Sequence, residues 1–287
     1  MCARESARAS LGIFARTFPG SAPGTVLSQA RDAGYDSVQY NMACSGLASL
    51  PSDIAPEAIS EIRNATRDTG VGIAALSATY NMVHPDAAVR AAGHQSLAVL
   101  AASAHTLKIP LLTLCTGSRN TADQWAPHPE NSSAASWREL LESMSRAIKL
   151  AEQHDLVLGV EPEPSNVVAS AILARRLINE LASARVGIIL DVANLIEPVL
   201  TGSAAARGDV IARAVDELAD GIVLVHAKDR RADGTVVAPG DGLVDFDLCF
   251  TALSSSGVSA PVITHGLGAA NAARTCLFLR EKLASSR

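Results

Sequence analysis

Short apolar segments alternate along the chain with longer alanine-rich amphipathic segments, and this alternation constrains the fold more than any other feature. Several short segments are apolar at almost every position, as in VGIILD and GIVLVH, which is typical of strands buried on both faces of a parallel sheet. The pattern predicts eight strands at residues 11–15, 37–40, 72–77, 111–115, 156–161, 187–191, 221–226 and 261–265.

The segments between these strands have helical periodicity. They predict helices that include 56–68, 87–105, 135–154, 167–182, 206–219 and 269–283, with Gly34, Gly70 and Gly257 at helix ends. Eight strand–helix units in 287 residues average about 36 residues each, which is close to the repeat of a (β/α)8 barrel. A doubly wound sheet would place a GxGxxG turn after the first strand, and LGIFARTFPG lacks it. We therefore predict an α/β fold, a single TIM-barrel domain over residues 1–287, with units from about residue 11 to 284.

Charge and cysteine content exclude several classes of function. The chain has 24 Lys and Arg against 29 Asp and Glu, so it has no general attraction for nucleic acid or anionic lipid. No segment approaches the run of about 20 apolar residues that a membrane span needs. Five cysteines, an odd number without CxxC spacing, favour reduced thiols and a cytoplasmic protein.

Polar residues follow the predicted strands at the point where side chains of a barrel converge on one mouth. The fifth to eighth strands end in Glu161, Asp191, His226 and His265. Taken singly, each is explained by a helix cap or a solvated loop, but four in register are not. Carboxylates and imidazoles together suit a divalent cation; Mn²⁺ is the preferred candidate, with Co²⁺, Mg²⁺, Zn²⁺ and Fe²⁺ as alternatives.

The motifs EPEPSN, DVANL, HAKD and HGL, in this order, resemble the xylose isomerase-like, sugar phosphate isomerase/epimerase superfamily of TIM barrels. The segments TYNMVHPD and GSRN…W…HPEN fit one branch of it. The resemblance implies that Glu161, Asp191 and His226 are metal ligands. The family's fourth ligand is usually a glutamate, and His265 stands at that position here. The endonuclease branch is disfavoured, because strand four ends in Cys115 rather than histidine and no basic stripe is present.

The resemblance implies a metal-dependent sugar isomerase or epimerase, which removes a proton next to a carbonyl and stabilises the enediolate with the metal. Replacing one glutamate by His265 breaks the symmetry of the two carboxylates. An alternative is therefore a β-eliminase or hydratase, a lyase acting on 3-keto sugars or glycosides. A sugar-binding barrel without catalysis is the second alternative. The expected partner is a small sugar, keto-sugar or cyclitol, and self-association into a homo-oligomer stays open.

The candidate groups for proton removal are Glu161, Glu163, Lys228 and His84. Loop residues around the predicted mouth are candidates for substrate binding. They are His84, Arg90, Trp125, His128, Asn194 and Asp229. For Trp125 we expect stacking on a sugar face or a lid over the site, against the alternative of a loop side chain that packs on the barrel rim. For Arg90 the two interpretations are a contact with a carboxylate or phosphate and an ordinary surface arginine on the first turn of a helix.

Overall fold

Eight parallel strands close into a barrel in the computed structural model, which describes residues 10–286. The barrel strands are β1 (Leu11–Phe14), β2 (Ser37–Tyr40), β3 (Gly72–Ser77), β4 (Leu111–Cys115), β5 (Val157–Glu161), β6 (Val186–Asp191), β7 (Ile222–Ala227) and, later in the chain, β10 (Val262–Thr264). Two short strands between them, β8 (Asp229–Arg230) and β9 (Val236–Val237), form an antiparallel pair that was not predicted. The barrel closes where β1 pairs with β10, which confirms the predicted single-domain TIM barrel.

Helices cover the outside of the barrel. They are α1 (Pro23–Asp32), α2 (Pro56–Thr69), α3 (Ala87–Leu107), α4 (Ala134–His154), α5 (Ala171–Leu181), α6 (Val192–Leu195), α7 (Ala204–Leu218), α8 (Phe246–Ser255) and α9 (Ala272–Ser285). The predicted helix 167–182 begins later than expected, at Ala171. The Ser170 hydroxyl accepts a hydrogen bond from the Leu173 amide and caps the helix there, so the residues before it remain a loop.

The apolar cluster inside the barrel shows which strand residues face the barrel axis. It consists of the buried residues Ala75, Leu111, Ile189, Leu224 and Ile263. Alternate residues of a strand face the same side. The residues two positions after the last three of these, 191, 226 and 265, therefore also face the barrel axis. A Cβ on Gly159 would contact Ile189 and Leu111 of this cluster, so residue 159 faces the barrel axis. Residue 161, two positions later, therefore faces the axis as well.

The structure describes the hydrophobicity of the helices and the state of four of the five cysteines. Among residues 10–286 no helix combines the length and the hydrophobicity that crossing a bilayer requires. Cys44, Cys115, Cys249 and Cys276 are free and buried, whereas Cys2 lies outside the described residues.

Candidate metal centre in the barrel mouth

Three side chains that can bind a metal converge at the carboxyl ends of adjacent strands. Glu161 ends β5, Asp191 ends β6 and His226 lies near the end of β7, and one ligand atom from each lies within 4.8 Å of the others. All three are buried, with exposed fractions of 8%, 1% and 2%. The register places Asp191 directly beside His226, so strand pairing itself brings these two groups together.

One carboxylate oxygen of Asp191 is used structurally and the other faces the cluster. Oδ1 accepts hydrogen bonds from the amides of Ala193 and Asn194, at 3.0 and 3.2 Å, and so caps α6. Oδ2 accepts no well-directed hydrogen bond, although the Lys228 ammonium Nζ lies 2.8 Å away. Burial raises the pKa of the Asp191 carboxyl, and Lys228 opposes that rise.

The two carboxylate oxygens of Glu161 have different neighbours. Oε1 accepts a hydrogen bond from Asn194 Nδ2 at 3.0 Å and lies 3.2 Å from His226 Nδ1. Oε2 takes only a weak 3.9 Å contact from the Cys115 thiol. Burial opposes ionisation of Glu161, but His226 and Lys228 outweigh it and hold the pKa well below its usual range. The carboxylate is therefore charged in the folded protein.

The imidazole of His226 has one nitrogen engaged and one without a hydrogen-bond partner. Nε2 lies 2.8 Å from Oε1 of Gln39, a buried residue on β2. Nδ1 lies close to Glu161 but off the direction that a hydrogen bond requires. A buried imidazole nitrogen of His226 and a buried carboxylate oxygen of Asp191 thus lack hydrogen-bond partners. Two carboxylates and one imidazole are a donor set that divalent transition metals accept, so these residues fit the implied cation.

Lys228 and Asn194 connect the two acidic groups. Lys228 Nζ donates to Asn194 Oδ1 at 2.7 Å, and Asn194 in turn donates to Glu161. Burial opposes a charge on Lys228, but the surrounding carboxylates Asp191, Glu161 and Glu163 raise its pKa above the usual value. The ammonium is thus an internal counter-ion beside the candidate ligands, and it is unsuited to removing a proton.

Glu163 lies two residues beyond Glu161 and is half-buried beside it. Burial, and next the charge of Glu161, raise the pKa of Glu163 to about 8. Cys115 belongs to the same group, since ligand atoms of Cys115, Glu161 and Glu163 lie within 4.8 Å of one another. Two neighbouring carboxyl groups therefore differ in their tendency to ionise.

His265, the predicted fourth ligand, stacks on the ring of His226. The two ring centroids lie 5.1 Å apart with planes inclined by 29°, and the ring of His265 also stacks on Phe14 at 4.7 Å and 20°. It is not part of the described group whose ligand atoms lie within 4.8 Å. Burial, and then His226, lower the pKa of His265 to about 3. The ring of His265 therefore packs face to face against a candidate ligand.

Arg90 and His84, two predicted substrate-binding residues near the β3–α3 loop, make contacts within the protein. The Arg90 guanidinium forms an ion pair with Glu139 at 2.8 Å and donates to the carbonyl oxygens of His84 and Pro85. The ring Nδ1 of His84 accepts a hydrogen bond from the Asp86 amide at 3.1 Å. Arg90 therefore ties the loop to α4, and its contact with an anionic substrate group stays a prediction. His84 remains half-buried at the rim.

Trp125 and His128 lie in the long β4–α4 loop. Trp125 is 46% exposed, and His128 Nδ1 accepts a hydrogen bond from the Glu130 amide at 3.2 Å, so His128 caps the short 3-10 helix that follows. The base of the loop is anchored by Asn166, whose side chain accepts from the Gly117 amide and donates to a loop carbonyl. An exposed indole on an anchored loop keeps Trp125 a candidate for contacts with a sugar, whereas the ring of His128 is used locally.

Asp229 is fully buried and holds a loop. Its Oδ1 accepts from the amides of Arg230 and Val244, and its Oδ2 accepts from those of Gly240 and Gly242, at distances of 2.8 to 3.0 Å. Both oxygens are therefore occupied by backbone donors. Asp229 thereby holds the segment between β9 and α8 in place, with each oxygen that a predicted substrate contact would use already accepting two hydrogen bonds.

Sequence reasoning missed two residues that touch the centre. In the sequence, Cys115 is only the residue that ends the fourth strand in place of a histidine, and Gln39 has no predicted role. The signal for Gln39 was present, because it is a polar residue between Val38 and Tyr40 in a short strand buried throughout. A buried amide needs partners, and in a barrel interior the nearest partners are site residues.

Comparison with known proteins supports the assignment of the fold. The sequence matches the family model described as xylose isomerase-like TIM barrel over residues 27–282. The structure is similar to 3-keto-D-glucoside 4-epimerase from E. coli, with a TM-score of 0.74, 16% identity, and 96% of this chain and 99% of that chain covered. It is also similar to L-ribulose 3-epimerase, with a TM-score of 0.75, 18% identity, and 97% and 96% covered.

A xylose isomerase-like TIM barrel protein from Mycobacterium smegmatis, solved in complex with magnesium, has a TM-score of 0.74 and 15% identity, with 98% of each chain covered. No curated protein sequence matches. At these identities the solved structures establish a common fold, and the family model, which spans most of the chain, establishes the relationship. The chain belongs to the xylose isomerase-like TIM barrel family.

Proposed function

We propose that the protein is a metal-dependent sugar isomerase or epimerase that removes a proton from the carbon next to a carbonyl group. The observation that carries this proposal is the buried cluster of Glu161, Asp191 and His226, with an ammonium group beside it and two of its donor atoms without hydrogen bonds. Two of the similar structures are sugar epimerases by name, which supports the same class of substrate.

Glu161, Asp191 and His226 would hold the cation, for which Mn²⁺ remains the preferred candidate. When bound, a divalent cation supplies Lewis-acid polarisation of sugar oxygens. The buried carboxylates compensate its charge, and the ammonium of Lys228 has to yield part of its contact with Asp191 to make room. The ring of His265 packs between Phe14 and His226 and thereby supports the imidazole of a candidate ligand.

The residues around the cluster divide the remaining tasks. We assign proton removal to Glu161, because its Oε2 is almost free of contacts while Oε1 is engaged. Glu163 is the adjacent carboxyl that can exchange that proton. Lys228 donates a hydrogen bond to the sugar oxygen on which negative charge develops, in the manner of an oxyanion-stabilising group. Asn194 keeps both Glu161 and Lys228 in place through its amide.

Elimination or hydration of a 3-keto sugar is the second candidate. One observation favours it: the position where relatives usually have a second carboxylate holds His265, stacked between Phe14 and His226. Glu161 and Glu163 lie beside each other at the end of one strand, and such a pair suits removal of one proton followed by loss of a β-leaving group.

The test is proton exchange in D₂O. Protein loaded with Mn²⁺, Mg²⁺ or Co²⁺ is incubated with a ketose panel and with a 3-keto-glucoside, and products are analysed by mass spectrometry and NMR. Deuterium in recovered substrate or in an isomeric sugar supports the isomerase. Loss of water or of an aglycone supports the lyase. We expect Glu161→Gln to abolish exchange and Glu281→Gln, an exposed glutamate on α9, to leave it unchanged.

The same experiment can refute both reactions. No exchange and no product from any sugar, in protein that contains one transition metal ion per chain, would overturn the proposed chemistry. Protein that takes up no metal, and whose sugar binding survives Glu161→Gln, would instead indicate the non-catalytic barrel. The proposal extends to a small uncharged sugar, keto-sugar or cyclitol as substrate and to a cytoplasmic location for the enzyme.

A further inference from the structure

Gln39 makes a polar contact that crosses the interior of the barrel. It lies on β2 and is 4% exposed, and its Oε1 lies 2.8 Å from Nε2 of His226 on β7. In the strand order of the barrel, β1 and β10 separate β2 from β7, so the two side chains meet through the interior and not along a strand pair. A register shift between Val38 and Gln39 in the ladder with β3 accompanies this placement, and such irregularities redirect side chains.

Two hydroxyl groups hold the amide of Gln39 from the opposite side. Its Nε2 lies 3.2 Å from Ser77 Oγ and 3.3 Å from Thr113 Oγ1. Both residues are buried, at 8% and 3% exposure. The Nε2 group therefore has its two acceptors on the side of β3 and β4, which leaves the carbonyl oxygen directed at His226.

The contacts of His226 favour one of the two tautomers of its imidazole. A proton on Nδ1 would have no aligned acceptor, because Glu161 Oε1 lies 3.2 Å away but off the hydrogen-bond direction. A buried N–H without an acceptor is costly. A proton on Nε2 has an acceptor at 2.8 Å in Gln39. These contacts favour the tautomer with its hydrogen on Nε2 and its lone pair on Nδ1, on the side of Glu161.

We propose that Gln39 is a positioning residue that fixes His226 as the Nε2–H tautomer and so presents Nδ1 to the cation. The inference rests on the proposed metal centre, toward which Nδ1 is directed. Groups that hydrogen-bond the second nitrogen of a ligating histidine fix its orientation, and their loss typically weakens metal affinity by about 10- to 100-fold. Gln39 performs that task from the opposite wall of the barrel, with Ser77 and Thr113 orienting its amide.

The tautomer can be measured without metal or substrate. Two-bond ¹H–¹⁵N correlation spectra of histidine-labelled, metal-free protein at pH 8 distinguish Nδ1–H from Nε2–H, and His226→Gln assigns the signals. We expect Nε2–H in the wild type and in Gln39→Glu, which keeps an acceptor oxygen. Gln39→Met, which has nearly the same shape without the acceptor, should show both tautomers and bind Mn²⁺ about 10- to 100-fold more weakly in calorimetry. Gln95→Met, at an exposed position on α3, is the matched control.

The outcomes separate this inference from the proposed function. An Nδ1–H signal for His226 in the wild type would overturn the inference even if no variant folds. So would a Gln39→Met protein with the wild-type tautomer and the metal affinity of Gln95→Met. A wild type that binds no metal but changes tautomer on Gln39→Met would support the Gln39 assignment and refute the metal-dependent function.

Discussion

Lys228→Met should make the stability of the protein depend on metal. The ammonium of Lys228 lies 2.8 Å from Asp191 Oδ2, and the two side chains are 9% and 0% exposed. The substitution keeps most of the volume but leaves a buried carboxylate without its counter-ion. Removing one partner of a buried ion pair costs about 3–5 kcal/mol of unfolding free energy.

That cost converts into a measurable change in melting temperature. For 287 residues, an unfolding entropy of about 2.1 cal/mol/K per residue amounts to about 0.6 kcal/mol/K. We therefore expect the Tm of the variant to lie about 5–8 °C below that of the wild type in EDTA. A divalent cation at the cluster replaces the lost positive charge and no longer competes with the ammonium. Mn²⁺ should therefore raise the Tm of the variant more than that of the wild type.

The assay is thermal unfolding with EDTA and with a series of Mn²⁺ concentrations. A ligand at 100 times its dissociation constant adds about 2.7 kcal/mol to the folded state. Because the wild type also binds Mn²⁺, the difference in Tm narrows by the difference between the two gains, and the larger gain is expected for the variant. Lys149→Met, on an exposed face of α4, controls for loss of a lysine. A variant within about 1 °C of the wild type in EDTA, or a deficit that Mn²⁺ leaves unchanged, would refute the assignment of Lys228 as the internal counter-ion.

Three further predictions test the surroundings of the site. Asp229→Asn should cost about 3–5 kcal/mol in urea unfolding, because an amide cannot accept from all four backbone donors, whereas Asp233→Asn in the same loop should cost less than about 1 kcal/mol. Gly117→Ala should lower Tm, since a Cβ would lie 2.1 Å from Asn81 Oδ1 at a φ of +78°; an unchanged Tm would contradict this packing. Burial lowers the pKa of His94, so the unfolded chain takes up a proton that the folded chain does not as pH falls below about 6.5. The wild type should therefore lose more stability than His94→Gln between pH 7.5 and 5.5, and equal urea midpoints over this window would contradict the shift.

The barrel and the residues at its mouth were predictable because they depend on local periodicity. Apolar strands with a period of two residues and amphipathic helices between them are encoded within each unit. The same periodicity places 161, 191 and 226 on the inner face at the ends of their strands. Their proximity then follows from parallel register in a closed barrel, which needs no knowledge of individual contacts.

The uses of individual side chains were less predictable. His265 occupies the position of a ligand in the sequence, yet its ring stacks between Phe14 and His226, an orientation set by residues of two other strands. Asp229 follows the motif of the seventh strand closely but binds amides up to fifteen residues further along the chain. In both cases, groups distant in sequence compete for the side chain, and local pattern does not reveal which of them prevails.

The sequence by itself determined the eight-unit barrel and the collection of carboxylates and imidazoles at one end of it. Only the tertiary structure decided which atoms face one another: Glu161 Oε1 toward His226, Lys228 against Asp191, and Gln39 across the barrel. The physical reason is that a fold follows from the average burial of many residues, which the order of apolar and polar groups records. The chemistry of a site depends on the direction of a few lone pairs and protons, and these are set by contacts that form only when distant strands close the barrel.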